Sequence, residues 1–276
     1  MGQGSDTAMA QIAAEVLDMD ANSILVVHPD TDVTPYDMGT LGSRSTFHMG
    51  TAVRLAAEDA KRKIADLAHE LNLPLGTNLP PSEMLRQKYG MQAGNIIGTG
   101  SFIPDYKKPD AETGQSNMAT PFWGVGASGA QIEVDIETGD FRILKLINVA
   151  DVGVAINPKL VKVQLSGAGI MQLGFTTTEE MTYRDGQLTN GSLSDYKIPT
   201  LLELPVEFIN EHVRSRQDDG PFGAKGAGES TTIALSPAIG NALADAIGVR
   251  LIDLPITPEK IFRALQEADP AASAKD

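Results

Sequence analysis

The chain has no cysteine in 276 residues. That absence excludes disulfides, thiolate zinc sites, iron–sulfur ligation and thiol nucleophiles within it. Positive charge is also scarce: 22 Lys and Arg stand against 36 Asp and Glu, for a formal net charge of −14 at pH 7. So acidic a chain gains nothing by releasing counterions from a phosphate backbone, and nucleic acid is not an expected partner. No apolar run is long enough to span a bilayer, and the N-terminus lacks the basic and apolar regions of a signal peptide. The expectation is a cytoplasmic protein with no membrane span. With 42% hydrophobic and 21% charged residues, it can bury one large core or two modest ones.

Familiar catalytic signatures are missing too. There is no HExxH, no GxSxG elbow and no Walker loop. His28, His48, His69 and His212 are scattered without ligand spacing, and each reads as structural or solvated. Asp30, Asp32 and Asp37 lack EF-hand spacing and read as solvated turn residues. Gly124–Gly129 matches GxGxxG, but a dinucleotide fingerprint must open a helix. Here an alternating strand follows at 131–135, then a turn at 137–140 and a second strand over 141–149. This is a hairpin.

What the chain does have is a set of glycine-rich stretches at element starts. Gly223-Ala224-Lys225-Gly226-Ala227-Gly228-Glu229-Ser230 alternates glycine with small residues, ends on a carboxylate and leads into a helical segment reaching Ile247. Such a run lets backbone approach a bulky ligand, and the helix start favours anions. The plain alternative makes Glu229 a first-turn residue that complements the helix dipole. Gly2-Gln3-Gly4 precedes a helix with Met9, Ile12, Ala13, Val16 and Leu17 on one face, capped by Ser5 or Asp6. The stretch 30–48 is long, rich in small hydroxyl and glycine residues and poor in apolar anchors. Its Thr40, Gly42, Ser43 and Ser45 can present hydroxyls and backbone donors to a phosphate or pterin, or simply cap the amphipathic helix expected from Phe47 to Leu71.

Other elements follow from pattern. A buried strand is expected at 23–28, a short helix at 82–89 and a strand at 95–102. The polar stretch 105–119 reads as a surface loop and candidate boundary. Asn157-Pro158 starts a helix running to about Leu173, on which Gln164, Gly167 and Ala168 allow close packing. A second hairpin around 184–187, a strand at 204–213 and a final helix from Thr257-Pro258 complete the chain, with a mobile tail after Asp269. The fold class is α+β, as two related two-layer α/β subdomains with mixed sheets, over 1–115 and 116–276.

Four ordered stretches, MGQGSDTAMAQIAAEVL, TPYDMGTLGSRSTFHMGTAV, DVGVAINPKLVKVQLSGAGIMQLG and FGAKGAGESTTIALSPAIGNALADAIGVRLIDLPITPEKI, resemble the C-terminal half of the molybdopterin-binding large subunit of the xanthine dehydrogenase and aldehyde oxidase family. The resemblance covers nearly the whole chain. It implies that Gly2, Gln3 and Gly4 grip the pterin and its phosphate tail, and that the loop of Thr40, Leu41, Gly42, Ser43, Arg44 and Ser45 wraps the pterin. It further implies that Gly42 approaches molybdenum through its backbone, that Gln164 hydrogen-bonds the pterin, and that Glu229 is the catalytic base of an oxidative hydroxylation drawing oxygen from water.

The implied cofactor is molybdenum with molybdopterin as its cytosine dinucleotide, acting on an aldehyde or N-heteroaromatic small molecule. A chain without cysteine cannot house iron–sulfur clusters, so these and FAD are expected on partner iron–sulfur and flavin subunits. The N-terminal half of the molybdenum subunit is the third expected partner, which makes this chain a natural split subunit or an excised piece. The alternative is a non-catalytic scaffold or assembly subunit that keeps the fold without the cofactor. Such a protein would need neither Glu229 nor the glycine loops.

Overall fold

The structure, a computed structural model, describes residues 1–27, 30–32, 34–74 and 76–268. His28 and the tail after Asp269 lie outside them. The class is α+β, with a mixed sheet. Sequence suggests a cut between 115 and 116; the described residues form two compact units that interleave along the chain. One comprises Met1–Trp123, Gly153–Asn157 and Arg216–Gly226, the other Gly124–Val152, Pro158–Ser215 and Ala227–Asp276.

The first unit is built on two helices, α1 (Ser5–Leu17) and α2 (Ser45–Glu70), with the shorter α3 (Pro81–Tyr89). Met9, Ile12 and Val16 of α1 are buried. A Cβ on Gly50 of α2 would sit 2.9 Å from Ile12 Cδ1 and 3.0 Å from Pro221 Cγ, so the missing side chain is what lets these elements close up. Lys61 Nζ donates to the Val16 carbonyl at 2.7 Å, placing a cation at the negative end of α1. The N-cap of α1 is Gly4, in the left-handed region, and neither Ser5 nor Asp6 serves as expected; both are helical.

Two expected strands in this unit do not form. At 23–27 a 3₁₀ turn capped by Asp20 is followed by chain whose Leu25 and Val27 are 86% and 76% exposed. Strand propensity is realised only against a partner, and among the described residues this segment has none. At 95–102 the chain is laid along α2 instead. A Cβ on Gly98 would be 2.1 Å from the Ala56 carbonyl oxygen, and one on Gly100 2.2 Å from that of Ala52. Asp59 accepts the Thr99 amide at 3.0 Å, and Lys63 donates to the Ile97 carbonyl at 2.8 Å. The glycines and these two side chains replace a sheet partner with a helix surface.

The second unit carries a three-stranded sheet in the order β1 (Gly126–Val134), β2 (Phe141–Asp151), β5 (Glu207–Val213). Strands β1 and β2 form the expected antiparallel hairpin, with an irregularity at Gln131/Ile132. Strand β5 joins β2 in parallel after the crossover helix α4 (Pro158–Thr177), four residues longer than expected. A small hairpin, β3 (Tyr183–Arg184) and β4 (Gln187–Leu188), lies between them in sequence. Register is locked by a polar row in which Asn148 and Asn210 are buried and Ser128 half-buried: Ser128 Oγ donates to Asn148 Oδ1 at 2.7 Å, and Asn148 Nδ2 to Asn210 Oδ1 at 3.1 Å. A one-residue slip would orphan all three groups.

Helices α5 (Thr232–Ile247) and α6 (Pro258–Ala268) complete this unit. Ile143 and Leu146 of β2, Leu173 of α4, Leu235, Ile239 and Leu243 of α5 and Ile261 of α6 form one core. Each such side chain contributes about 1.5–3 kcal/mol by burial. That core joins α4, which carries Gln164, to α5, which Glu229 precedes in sequence.

Candidate functional site

In the first unit, Thr40 is a hub. Its hydroxyl accepts from Ser45 Oγ at 2.8 Å and, in a long bond of 3.4 Å, from Gln3 Nε2. The Gly2–Gly4 turn and the loop of residues 40–45 are thereby drawn together. Gly2 and Gly4 both have positive φ, 86° and 81°. Neither α1 nor α2 receives a side-chain cap at its N-terminus. Helix starts without a side-chain cap are the kind that suit water or an anion.

Beyond Thr40 the backbone is held in a rare form. Gly42 and Ser43 are consecutive left-handed residues, φ 54° and 59°, and a Cβ on Gly42 would meet nothing within 4 Å. Left-handed strain at a non-glycine residue costs on the order of 1–2 kcal/mol and concentrates at ligand clamps. The surroundings determine this shape. Arg44 Nη1 pairs with Asp37 at 3.3 Å and donates to the Gly39 carbonyl at 2.9 Å, while the Gly39 amide donates to Asp37 at 2.6 Å. His48 accompanies them, its Nδ1 3.2 Å from the Arg44 carbonyl and its ring 5.4 Å from Phe47 and 6.3 Å from Phe102. Burial pushes its pKa down, opposed by the hydrogen bond to Arg44.

Residues 223–226 belong to the same unit and close the loop from behind. A Cβ on Gly226 would fall 1.5 Å from the Ser43 carbonyl oxygen. The close approach that this glycine permits is thus to the chain itself, where the sequence pointed to a bulky ligand. Ala224 bridges Gly153, and a Cβ on Gly153 would be 2.2 Å from the Gly223 carbonyl oxygen. Lys225, the other reactive group of the stretch, is only 7% exposed and donates to the Trp123 carbonyl at 3.2 Å.

In the second unit Glu229 is exposed, three residues beyond Gly226 in sequence. It precedes the N-cap of α5, Thr231, and no acidic residue occupies the first turn of that helix, so Glu229 is not the first-turn residue of the plain reading. Its carbonyl accepts both the amide of Thr232 at 3.2 Å and its hydroxyl at 2.8 Å. Next along the chain, buried Thr231 donates to the Leu165 carbonyl at 2.8 Å. Leu165 adjoins Gln164, so this bond brings the chain beside Glu229 to the chain beside Gln164. Gln164 is half-buried, and Gly167 one turn on has open space where a Cβ would be. No sequence signal singled out Thr231 or the Gly226–Ser43 contact, and Asp37, which the sequence presents as a solvated turn residue, instead holds Arg44 and the Gly39 amide.

Among the described residues no group of three or more His, Asp or Glu side chains could hold a metal ion. A metal here must bring its own ligand set, and the chain can hold that set through backbone donors, hydroxyls and a carboxamide. Uncapped helix starts and an open left-handed glycine fit an anionic, phosphate-bearing group of that kind. No helix among the described residues is long and apolar enough to cross a membrane.

Comparison with known proteins points the same way. A family model described as the molybdopterin cofactor-binding domain matches residues 1–205. The gamma subunit of the 6-hydroxypseudooxynicotine dehydrogenase complex of Paenarthrobacter nicotinovorans is 36% identical over 280 residues, covering 96% of this chain and 35% of that one. A probable hypoxanthine oxidase of Escherichia coli K12 is 32% identical, with 97% and 28% covered. Among solved structures, quinoline 2-oxidoreductase from Pseudomonas putida 86 matches with a TM-score of 0.80 at 29% identity, over 96% of this chain and 35% of that one. Aldehyde oxidoreductase from Desulfovibrio gigas matches with a TM-score of 0.80 at 25% identity, over 96% and 28%. The chain spans about a third of the length of these relatives.

Proposed function

This chain belongs to the molybdopterin cofactor-binding domain family, and on that premise we propose that it supplies one wall of the molybdenum-cofactor site in a multi-subunit hydroxylase. The cofactor is molybdopterin in its cytosine dinucleotide form. The substrate is an aldehyde or an N-heteroaromatic compound, in keeping with relatives named as aldehyde and quinoline oxidoreductases. A polypeptide equivalent to the preceding half of the large subunit, an iron–sulfur subunit and a flavin subunit with FAD complete the enzyme. A relative named as one subunit of a dehydrogenase complex supports that assembly.

When bound, the molybdenum group supplies a two-electron oxidant for the substrate carbon, with water as the oxygen source. Gly2, Gln3 and Gly4 bind the phosphate-bearing tail through main-chain donors at the start of α1. Thr40, Leu41, Gly42, Ser43, Arg44 and Ser45 hold the pterin and its metal end, Gly42 through backbone alone. Gln164 donates its carboxamide to the pterin. Glu229 accepts the proton released as the oxygen nucleophile forms.

The observation that carries this reading is the Gln3–Thr40–Ser45 hydrogen-bond chain, which joins the two glycine loops that lead into α1 and α2, helices without side-chain caps. Glu229→Gln in the assembled enzyme tests the catalytic role. Turnover is expected to fall by about 10²–10⁴-fold, the usual range for losing a general base, with molybdenum and pterin content unchanged. Turnover like wild type removes Glu229 from catalysis. Wild-type enzyme lacking both molybdenum and pterin overturns the cofactor reading in favour of the scaffold.

A further inference from the structure

Arg44 fastens the loop of residues 40–45 at two points. Its amide donates to the Leu41 carbonyl at 3.1 Å, closing a four-residue turn over Gly42 and Ser43, whose paired positive φ values are those of the I′ class. Its guanidinium reaches back along the chain. There Nη1 donates to the Gly39 carbonyl at 2.9 Å and lies 3.3 Å and 3.4 Å from the two carboxylate oxygens of Asp37. Asp37 Oδ1 also accepts the Gly39 amide at 2.6 Å. Left-handed Gly39, φ 82°, is therefore gripped on both of its polar groups, the amide by Asp37 and the carbonyl by Arg44.

The tip of this turn is not anchored by apolar packing. Leu41 is 53% exposed, and a Cβ on Gly42 would meet nothing within 4 Å. Ser43 is strained in the left-handed region and relaxes if its flanks are released. Polar groups hold those flanks. The Thr40 and Ser45 hydroxyls bond each other, and Asp37 with Arg44 ties the stretch before the turn to the residue after it. The Arg44 side chain is only 15% exposed against 42% for Asp37, so the pair is less screened than one held wholly in solvent. A carboxylate is an acceptor only and repels an anionic cofactor, so Asp37 serves such a group through the cation and the main chain that it holds.

We infer that Asp37 is a positioning residue for the cofactor, a role that rests on the cofactor reading above. Through the Gly39 amide and the Arg44 guanidinium it holds the turn of residues 41–44 in the shape that presents the Gly42 main chain to the molybdenum group.

Asp37→Ala and Asp37→Asn in the assembled enzyme test this, read by molybdenum and pterin content per complex and by thermal midpoint. Asp37→Ala is expected to lower both contents about tenfold, the low end for losing a group that orients the immediate surroundings of a metal. Its thermal midpoint is expected to stay within about 3 °C of wild type, since Asp37 is a surface residue. Asn keeps an oxygen acceptor for the Gly39 amide and for Arg44, and Asp37→Asn is expected to recover about half of the wild-type content or more. Full content in Asp37→Ala, or a loss that Asp37→Asn leaves unrepaired, overturns the positioning role. A loss that follows a lowered thermal midpoint marks general destabilisation and overturns it as well. Wild-type enzyme devoid of molybdenum and pterin overturns the cofactor reading and the role together, whereas normal loading of both wild type and Asp37→Ala removes the role alone.

Discussion

The Thr231 hydroxyl donates to the Leu165 carbonyl at 2.8 Å, with Thr231 almost fully buried. One side-chain bond thus ties the start of α5 to α4 and sets the chain two residues after Glu229 against the chain one residue after Gln164. Thr231→Val keeps the shape and removes the donor. The expected loss is about 1 kcal/mol in denaturant unfolding, since the helical carbonyl keeps its own partner. Turnover is expected to fall with it while molybdenum content stays, because the carboxylate is displaced and not removed.

Gly226 and Gly42 are both glycines of the candidate site, and they are expected to respond oppositely to a methyl group. Gly226→Ala drives Cβ into the Ser43 carbonyl, whose backbone cannot yield. A loss of about 3 kcal/mol or more is expected, at the upper end for overpacking. Gly42→Ala meets open space and pays only for its left-handed φ, about 1–2 kcal/mol. Thermal unfolding of the two variants separates them, and equal destabilisation would refute the contact.

Thr40→Val deletes the acceptor shared by Gln3 and Ser45. The loop is exposed, so stability should change by no more than about 0.5–1.5 kcal/mol. Pterin and molybdenum content of the purified enzyme should drop several-fold. Unaltered content would deny Thr40 its place in cofactor binding.

His48 links the loop to acid pH. Burial holds its folded pKa below the unfolded value of about 6.5. A depressed folded value means full stability above the unfolded pKa, lost as pH falls through the folded one. Unfolding free energy measured from about pH 8 down to pH 5 should decline less in His48→Gln than in wild type. Parallel profiles would show that His48 does not contribute.

Much of the architecture was legible because it depends on local chemistry. Asn157-Pro158 announces α4, Thr257-Pro258 announces α6, and Glu137-Thr138-Gly139-Asp140 announces the hairpin that disqualifies the GxGxxG match. The failures share one cause. Residues 23–27 and 95–102 have the composition of strands, and whether such segments pair depends on what lies beside them. For 95–102 the neighbour is α2, admitted by Gly98 and Gly100.

The sequence by itself determined the class, most of the helices and the β1–β2 hairpin, the family resemblance and the residue types able to hold an anionic cofactor. Those properties are carried by turn chemistry, periodicity and ordered motifs, each read within a few residues. Tertiary structure decided what the glycines are for. Gly226 yields its Cβ to the carbonyl of Ser43, 183 positions earlier in the chain. Contact between segments so distant is set by packing of the whole unit, and no local pattern encodes it. The same holds for Thr231 and Leu165, whose bond exists only once the core of Leu173, Leu235 and Ile239 has brought α4 and α5 together.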